Sequence, residues 1–135
     1  DNVMLVGTLD SGAVISVHVS MVPEFGSGYR LEVYGRGGTL VLTASEHPQL
    51  GAMKMFAGLQ SDSDLREVPI PDRLSWVPET VPAGPPFNVA QMWWRFGRAI
   101  RIGQFVQPDF EYAVQRHRFL DAVQRASDSG IRQTL

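Results

Sequence analysis

The sequence predicts an α+β fold: an open, mainly antiparallel β-sheet with helices packed on one face. Three observations carry that expectation. Along residues 3–43 a short β-branched apolar run is followed by stretches whose apolar side chains alternate with period two, the mark of half-buried strands. Two later stretches repeat their apolar positions every three to four residues, as amphipathic helices do. Between them, six prolines fall from Pro69 to Pro86, where a ladder or helix interior is disfavoured. Strands first and helices last, without βαβ alternation, point to α+β packing.

The elements follow in order. Val3 to Leu9 is a β-branched apolar run closed by the turn Asp10-Ser11-Gly12. Ala13 to Met21 alternates, with Ile15, Val17, Val19 and Met21 on one side and Val14, Ser16, His18 and Ser20 on the other. A second hairpin runs from Tyr29 to Tyr34, turns at Gly35-Arg36-Gly37-Gly38 and returns from Thr39 to Thr43. Two consecutive hairpins predict one meander, in which the polar face of His18 continues through Arg30, Glu32 and Tyr34. Met53 to Leu59 and Leu65 to Ile70 read as short strands around the polar turn Ser61-Asp62-Ser63-Asp64. Asn88 is the expected N-cap of a helix over Val89 to Gly103, with Met92, Trp93, Phe96, Ala99 and Ile100 as its apolar stripe. Asp109 is the expected cap of a longer helix, whose stripe is Phe110, Ala113, Val114, His117, Leu120, Val123 and Ala126, with Gly130 as its stop. Ile131 to Leu135 is expected as a short strand or a tail.

Composition narrows the function classes. The chain has 135 residues, the size of one ordinary domain, and is taken as a single domain over 1–135. Its net charge of -2 and lack of a basic stripe speak against nucleic acid as a partner. With no cysteine there is neither a disulfide scaffold nor a thiolate metal site, and a reducing, cytoplasmic setting is expected. Apolar runs are only a few residues long, against about 20 for a membrane-spanning helix. The strand-like start at Val3-Met4-Leu5-Val6 is expected of a domain taken from a longer protein.

Most chemical motifs are missing. Gly35-Arg36-Gly37-Gly38 departs from a dinucleotide fingerprint, because position 40 is Leu and a strand, not a helix, follows. It reads as a hairpin turn that uses glycine for positive φ. There is no GxxxxGK[ST], HExxH or GxSxG. Among the histidines, His117 on the last helix is expected in the core or at its edge, and His47 before Pro48 in solvent. His18 lies on a polar face suited to a subunit interface, solvent or a ligand. Of the adjacent Trp93 and Trp94, the first is expected in the core and the second at its boundary, where it would cover a pocket mouth or partner.

The ordered set of these features resembles a known family. Leu9-Asp10-Ser11-Gly12-Ala13 precedes a long strand; Leu31-Glu32-Val33-Tyr34-Gly35-Arg36-Gly37-Gly38-Thr39-Leu40-Val41-Leu42 forms a strand, turn and return strand. A helix with Phe96, Ala99, Ile100 and Gly103 comes next. Pro108-Asp109 then opens a final helix bearing Val114, Leu120-Asp121-Ala122 and Ser127. This is similar to the carboxy-terminal domain of the glucose–fructose oxidoreductase/inositol dehydrogenase (Gfo/Idh/MocA) family. The resemblance implies a parent enzyme that moves hydride between a sugar or cyclitol and NAD or NADP. It also implies a sheet that walls the substrate site and joins subunits, here as a homodimer. The family's Glu-Lys-Pro lysine, its acid/base Asp and His and its glycine fingerprint have no counterpart here, so no catalytic, cofactor-binding or metal-binding residue is assigned. The candidate substrate contacts are His18, Glu24 and Tyr29, the last two in or beside the loop Val22 to Gly28. The chain alone is expected to be inert, with no cofactor of its own. The alternative is a stand-alone assembly or sugar-binding module derived from that domain.

Overall fold

The computed structural model describes residues 2–22 and 24–135. Asp1 and Pro23, the latter inside the expected substrate loop, lie outside the described residues. The α+β class and the antiparallel pairing are as expected: two antiparallel sheets and two long helices. The chain divides into two compact units, Asp1–Phe25 with Val106–Leu135, and Gly26–Phe105. One helix belongs to each.

In the first unit, β1 (Asn2–Thr8) pairs with β2 (Val14–Ser20), and the turn closes through Leu9 N–H to the Ala13 carbonyl at 2.8 Å. The register places Val3, Leu5, Ile15, Val17 and Val19 on one face and His18 opposite Met4 on the other. The expected single meander is corrected here, because β1 and β2 form a sheet of their own and β2 does not pair with β3. Eight residues separate β2 from β3, more than a tight hairpin turn uses, so nothing local forces those two strands together.

α2 (Phe110–Ser129) begins as its sequence predicts: the Asp109 carboxylate accepts from the Tyr112 N–H at 2.8 Å. It ends at Gly130, whose N–H reaches the Ala126 carbonyl at 2.9 Å, and the residues beyond form a tail without a strand. Its covered side runs through Phe119, Ala122, Val123 and Ala126. His117 is exposed, as are Phe110, Val114 and Leu120, so the expected core histidine is corrected. Periodicity locates a stripe on a helix, but it does not say how far along the helix that stripe is covered.

The second unit is built on a four-stranded antiparallel sheet in the order β3 (Tyr29–Gly35), β4 (Gly38–Ala44), β5 (Met53–Leu59), β6 (Arg66–Val68). Its register stacks Leu31, Leu42, Met55 and Val68 in one row and Val33, Leu40 and Ala57 in the next, ending at Arg66 on β6, which makes one mainly apolar face. Arg36-Gly37 joins β3 to β4 as a two-residue turn. Neither residue adopts positive φ, so the expected role of glycine in this turn is corrected. At Gly38 the requirement is close approach: a β-carbon there would run into the carbonyl oxygen of Gly58 on β5.

α1 (Pro85–Ile102) starts before the expected N-cap, with Gly84 capping and Pro85 at the first position, where its fixed φ suits the helix and no N–H is lost. Asn88 instead donates from its side chain to the Gln49 carbonyl at 3.1 Å. A one-turn 3-10 segment at Asp72–Leu74 interrupts the proline-rich stretch. Gln91 straps it to α1, accepting from the Trp76 N–H at 2.8 Å and donating to the Leu74 carbonyl at 2.7 Å. Trp94 stacks on Trp76 with ring centroids 5.4 Å apart, and Arg95 lies over the other indole at 5.8 Å. The roles expected of the two adjacent tryptophans are therefore exchanged: Trp94 is half-buried and Trp93 is 67% exposed. The proline-rich strap engages the Gln91–Trp94 side of the helix, which is not its most apolar side.

Candidate functional site

The sheet of the second unit carries its chemistry on the face opposite the Leu31–Met55 row. Strand alternation and register assemble that face in three rows: Arg30, Thr43 and Lys54; Glu32, Val41, Phe56 and Glu67; Tyr34, Thr39 and Gly58. Val41 is only 3% exposed, although its face is polar, because it sits in the central row between Glu32 and Phe56. Charges balance at both edges. Arg30 donates from Nε and Nη2 to Glu32 Oε1, the former at 2.8 Å, and Lys54 stands 3.9 Å from Glu67.

Arg30, Glu32 and Tyr34 form a linked line along β3. The Arg30 guanidinium, followed by the Tyr34 hydroxyl, holds the Glu32 carboxyl below the ordinary carboxylate range. The same carboxylate raises Tyr34, chiefly because its hydrogen bond with the hydroxyl favours the protonated phenol. A group depressed in the folded state adds stability above its unfolded pKa and loses it as pH falls through the folded value. For this exposed pair the effect is local. A carboxyl-detected NMR titration is expected to place Glu32 below the other exposed glutamates, and Arg30→Gln to move it back up. An unchanged midpoint in Arg30→Gln would remove Arg30 as the cause.

At the turn end of the sheet lies a shallow, open cleft of about 390 Å³, lined from both faces. Arg36, Thr39, Gln60, Asp62, Ser63 and Asp64 contribute its polar groups. The loop after β5 is held against the β3–β4 turn by the Gln60 N–H donating to the Gly37 carbonyl at 3.2 Å, and the Asp62 carboxylate is fixed by the Leu59 N–H at 2.9 Å. A guanidinium, two carboxylates and two hydroxyls can donate to and accept from a polyhydroxy molecule. Sequence reasoning treated Gly35–Gly38 and Ser61–Asp64 as two unrelated turns. Their common feature is strand length: β4 and β5 pair in full from Gly38–Leu59 to Ala44–Met53, which brings both turns to one end.

The sequence candidates are distributed differently. His18 and Glu24 belong to the first unit, both exposed, and Tyr29 to the second, half-buried at the start of β3 and in register with Ala44. Among the described residues, none of these three side chains hydrogen-bonds another. Tyr29 shares the apolar face with Leu31, away from Arg30 and Glu32. His47 is exposed, and its Nδ1 accepts from the Gln49 N–H at 3.1 Å. No helix among the described residues is long and apolar enough to cross a membrane. A scan against family models, a search of curated proteins and a search of solved structures each found no match.

Proposed function

We propose that this chain is the substrate-shaping and subunit-assembly half of an NAD(P)-dependent oxidoreductase acting on a sugar or cyclitol, working in the cytoplasm. The observation that carries the reading is the polar sheet face together with the open cleft at its turn end, to which Arg36, Thr39, Asp62 and Asp64 contribute. A polyol needs many directed hydrogen bonds, and a wall of alternating cations, carboxylates and hydroxyls supplies them without a hydrophobic slot. The ordered resemblance to the Gfo/Idh/MocA carboxy-terminal domain supports the same reading, and so does a composition free of cysteine. In this scheme the nicotinamide carries the hydride and the chain's own side chains position the hydroxyl-bearing substrate.

The chain alone is then inert. Isothermal calorimetry with NAD and NADP is expected to give no heat of binding at micromolar concentrations. The reading frame ahead of Asp1 is expected to encode a βαβ unit with a glycine fingerprint and a Glu-Lys-Pro triplet. Micromolar nucleotide affinity of the chain by itself would overturn the division of labour, and a frame that opens at Asp1 would overturn the two-domain parent.

A further inference from the structure

β3 is the outer strand of the four-stranded sheet, and it is long, straight in register and without proline. The two-residue turn makes Gly35 and Gly38 a hydrogen-bonded pair, and alternation then points the backbone groups of Tyr29, Leu31 and Val33 toward β4. Those of Arg30, Glu32 and Tyr34 point outward. Among the described residues no backbone hydrogen bond reaches that outer edge. The opposite edge, β6, is only 3 residues long, too short to extend the sheet far.

Charged side chains on an edge strand ordinarily deter pairing with another chain. On β3 they do so in all but one of the two-fold antiparallel registers that pair five or more of its residues. Centred on Glu32, the pairing sets Glu32 against its own copy, and centred on Arg30 it sets Arg30 against its own copy. Centred on Val33, it sets Arg30 against Arg36. Centred on Leu31, it sets Arg30 opposite Glu32 twice, with Tyr29 opposite Val33 on the other face. In that register the outward backbone groups of Arg30 and Glu32 meet as hydrogen-bonded pairs, and the two Leu31 residues form the central non-hydrogen-bonded pair. The apolar faces of both sheets stay on the same side.

We propose that a second copy of this chain pairs with β3 in the Leu31-centred antiparallel register, joining two four-stranded sheets into one of eight strands across a two-fold axis. The inference rests on the assembly role proposed above and names the surface that serves it. β1 and β2 of the first unit are edge strands as well, but they contain no Asp, Glu, Lys or Arg, so no register is selected there.

The chain has no cysteine, so a single introduced thiol reports the register directly. Cα atoms of a non-hydrogen-bonded pair lie about 4.5 Å apart, within disulfide reach, whereas residues two positions from the axis are separated from their own copies by four strand steps. Mild oxidation of Leu31→Cys is expected to give a covalent dimer in high yield, and of Tyr29→Cys or Val33→Cys to give little. As a second measure, sedimentation equilibrium of Arg30→Glu or Glu32→Arg is expected to show dimerisation weakened about tenfold or more, because two cross-strand pairs change sign together. The double exchange Arg30→Glu/Glu32→Arg is expected to return within about threefold of the parent chain. A dimer that does not cross-link at Leu31, or charge reversals without effect, overturns the β3 pairing and leaves the assembly role standing. A chain that stays monomeric at high micromolar concentration overturns both.

Discussion

Gly28→Ala is expected to cost the second unit about 3 kcal/mol, one of two severe losses open to single substitutions. Gly28 has φ +77°, and an added β-carbon would run into the Ala44 carbonyl oxygen and lie 2.7 Å from that of Ser45. The left-handed conformation alone costs an L-residue about 1–2 kcal/mol. The collision involves backbone of the central strand β4, which cannot swing aside as a side-chain tip can. Ala44, whose carbonyl is struck, is among the few buried residues described. The measurement is the urea midpoint at unchanged slope. Gly26→Ala is the control, since a β-carbon there meets nothing within 4 Å, and it is expected to stay within about 0.5 kcal/mol. Equal midpoints for the two variants would remove the close approach as a constraint.

Trp76→Ala is the second, also near 3 kcal/mol, the lower end of the range of about 3–5 kcal/mol for tryptophan truncations in cores, because Trp76 is half-buried. The substitution removes the stack on Trp94, the contact with Arg95 and the indole N–H bond to the Arg73 carbonyl at 3.1 Å. What remains is the Gln91 strap to the Trp76 backbone and to Leu74. The substitution is therefore expected to loosen the proline-rich segment from α1 without unfolding the sheet. Hydrogen exchange should localise the effect to residues 72–82 and α1. The comparison is Trp93→Ala, whose ring is exposed and packs edge-on against Phe96. If Trp93→Ala costs as much as Trp76→Ala, the helix uses its apolar stripe after all.

That last comparison marks the boundary of what could be read in the chain. Hairpin turns, the Asp109 cap and the Gly130 stop depend on residues within a few positions of one another, and each appears where the local signal put it. The start of α1 was misjudged because two local signals compete: Asn88 is a good cap, but Pro85 is pre-set for the first turn, and Asn88 found a partner far away at Gln49. The tryptophans were misjudged because the sequence ranks the faces of a helix by apolarity alone. The strap at Leu74–Trp76 chose the face that offered Gln91 as donor and acceptor.

The candidate site divides the same way. The alternation of Arg30, Glu32 and Tyr34 was legible, because strand geometry with period two fixes which neighbours share a face. Their link to His18 was not, since pairing between hairpins depends on non-local contacts and β2 lies in a separate sheet. By itself the sequence determined the α+β class, the antiparallel hairpins, the Asp109 cap and Gly130 stop of α2 and the polar line along β3, all consequences of short-range sterics and periodicity. Only the tertiary structure decided that the strands divide two and four, that Gly38 is needed for approach to Gly58 and that the turns at Gly35–Gly38 and Ser61–Asp64 share a cleft. Those outcomes hang on register between strands distant along the chain, which a local pattern permits but does not choose.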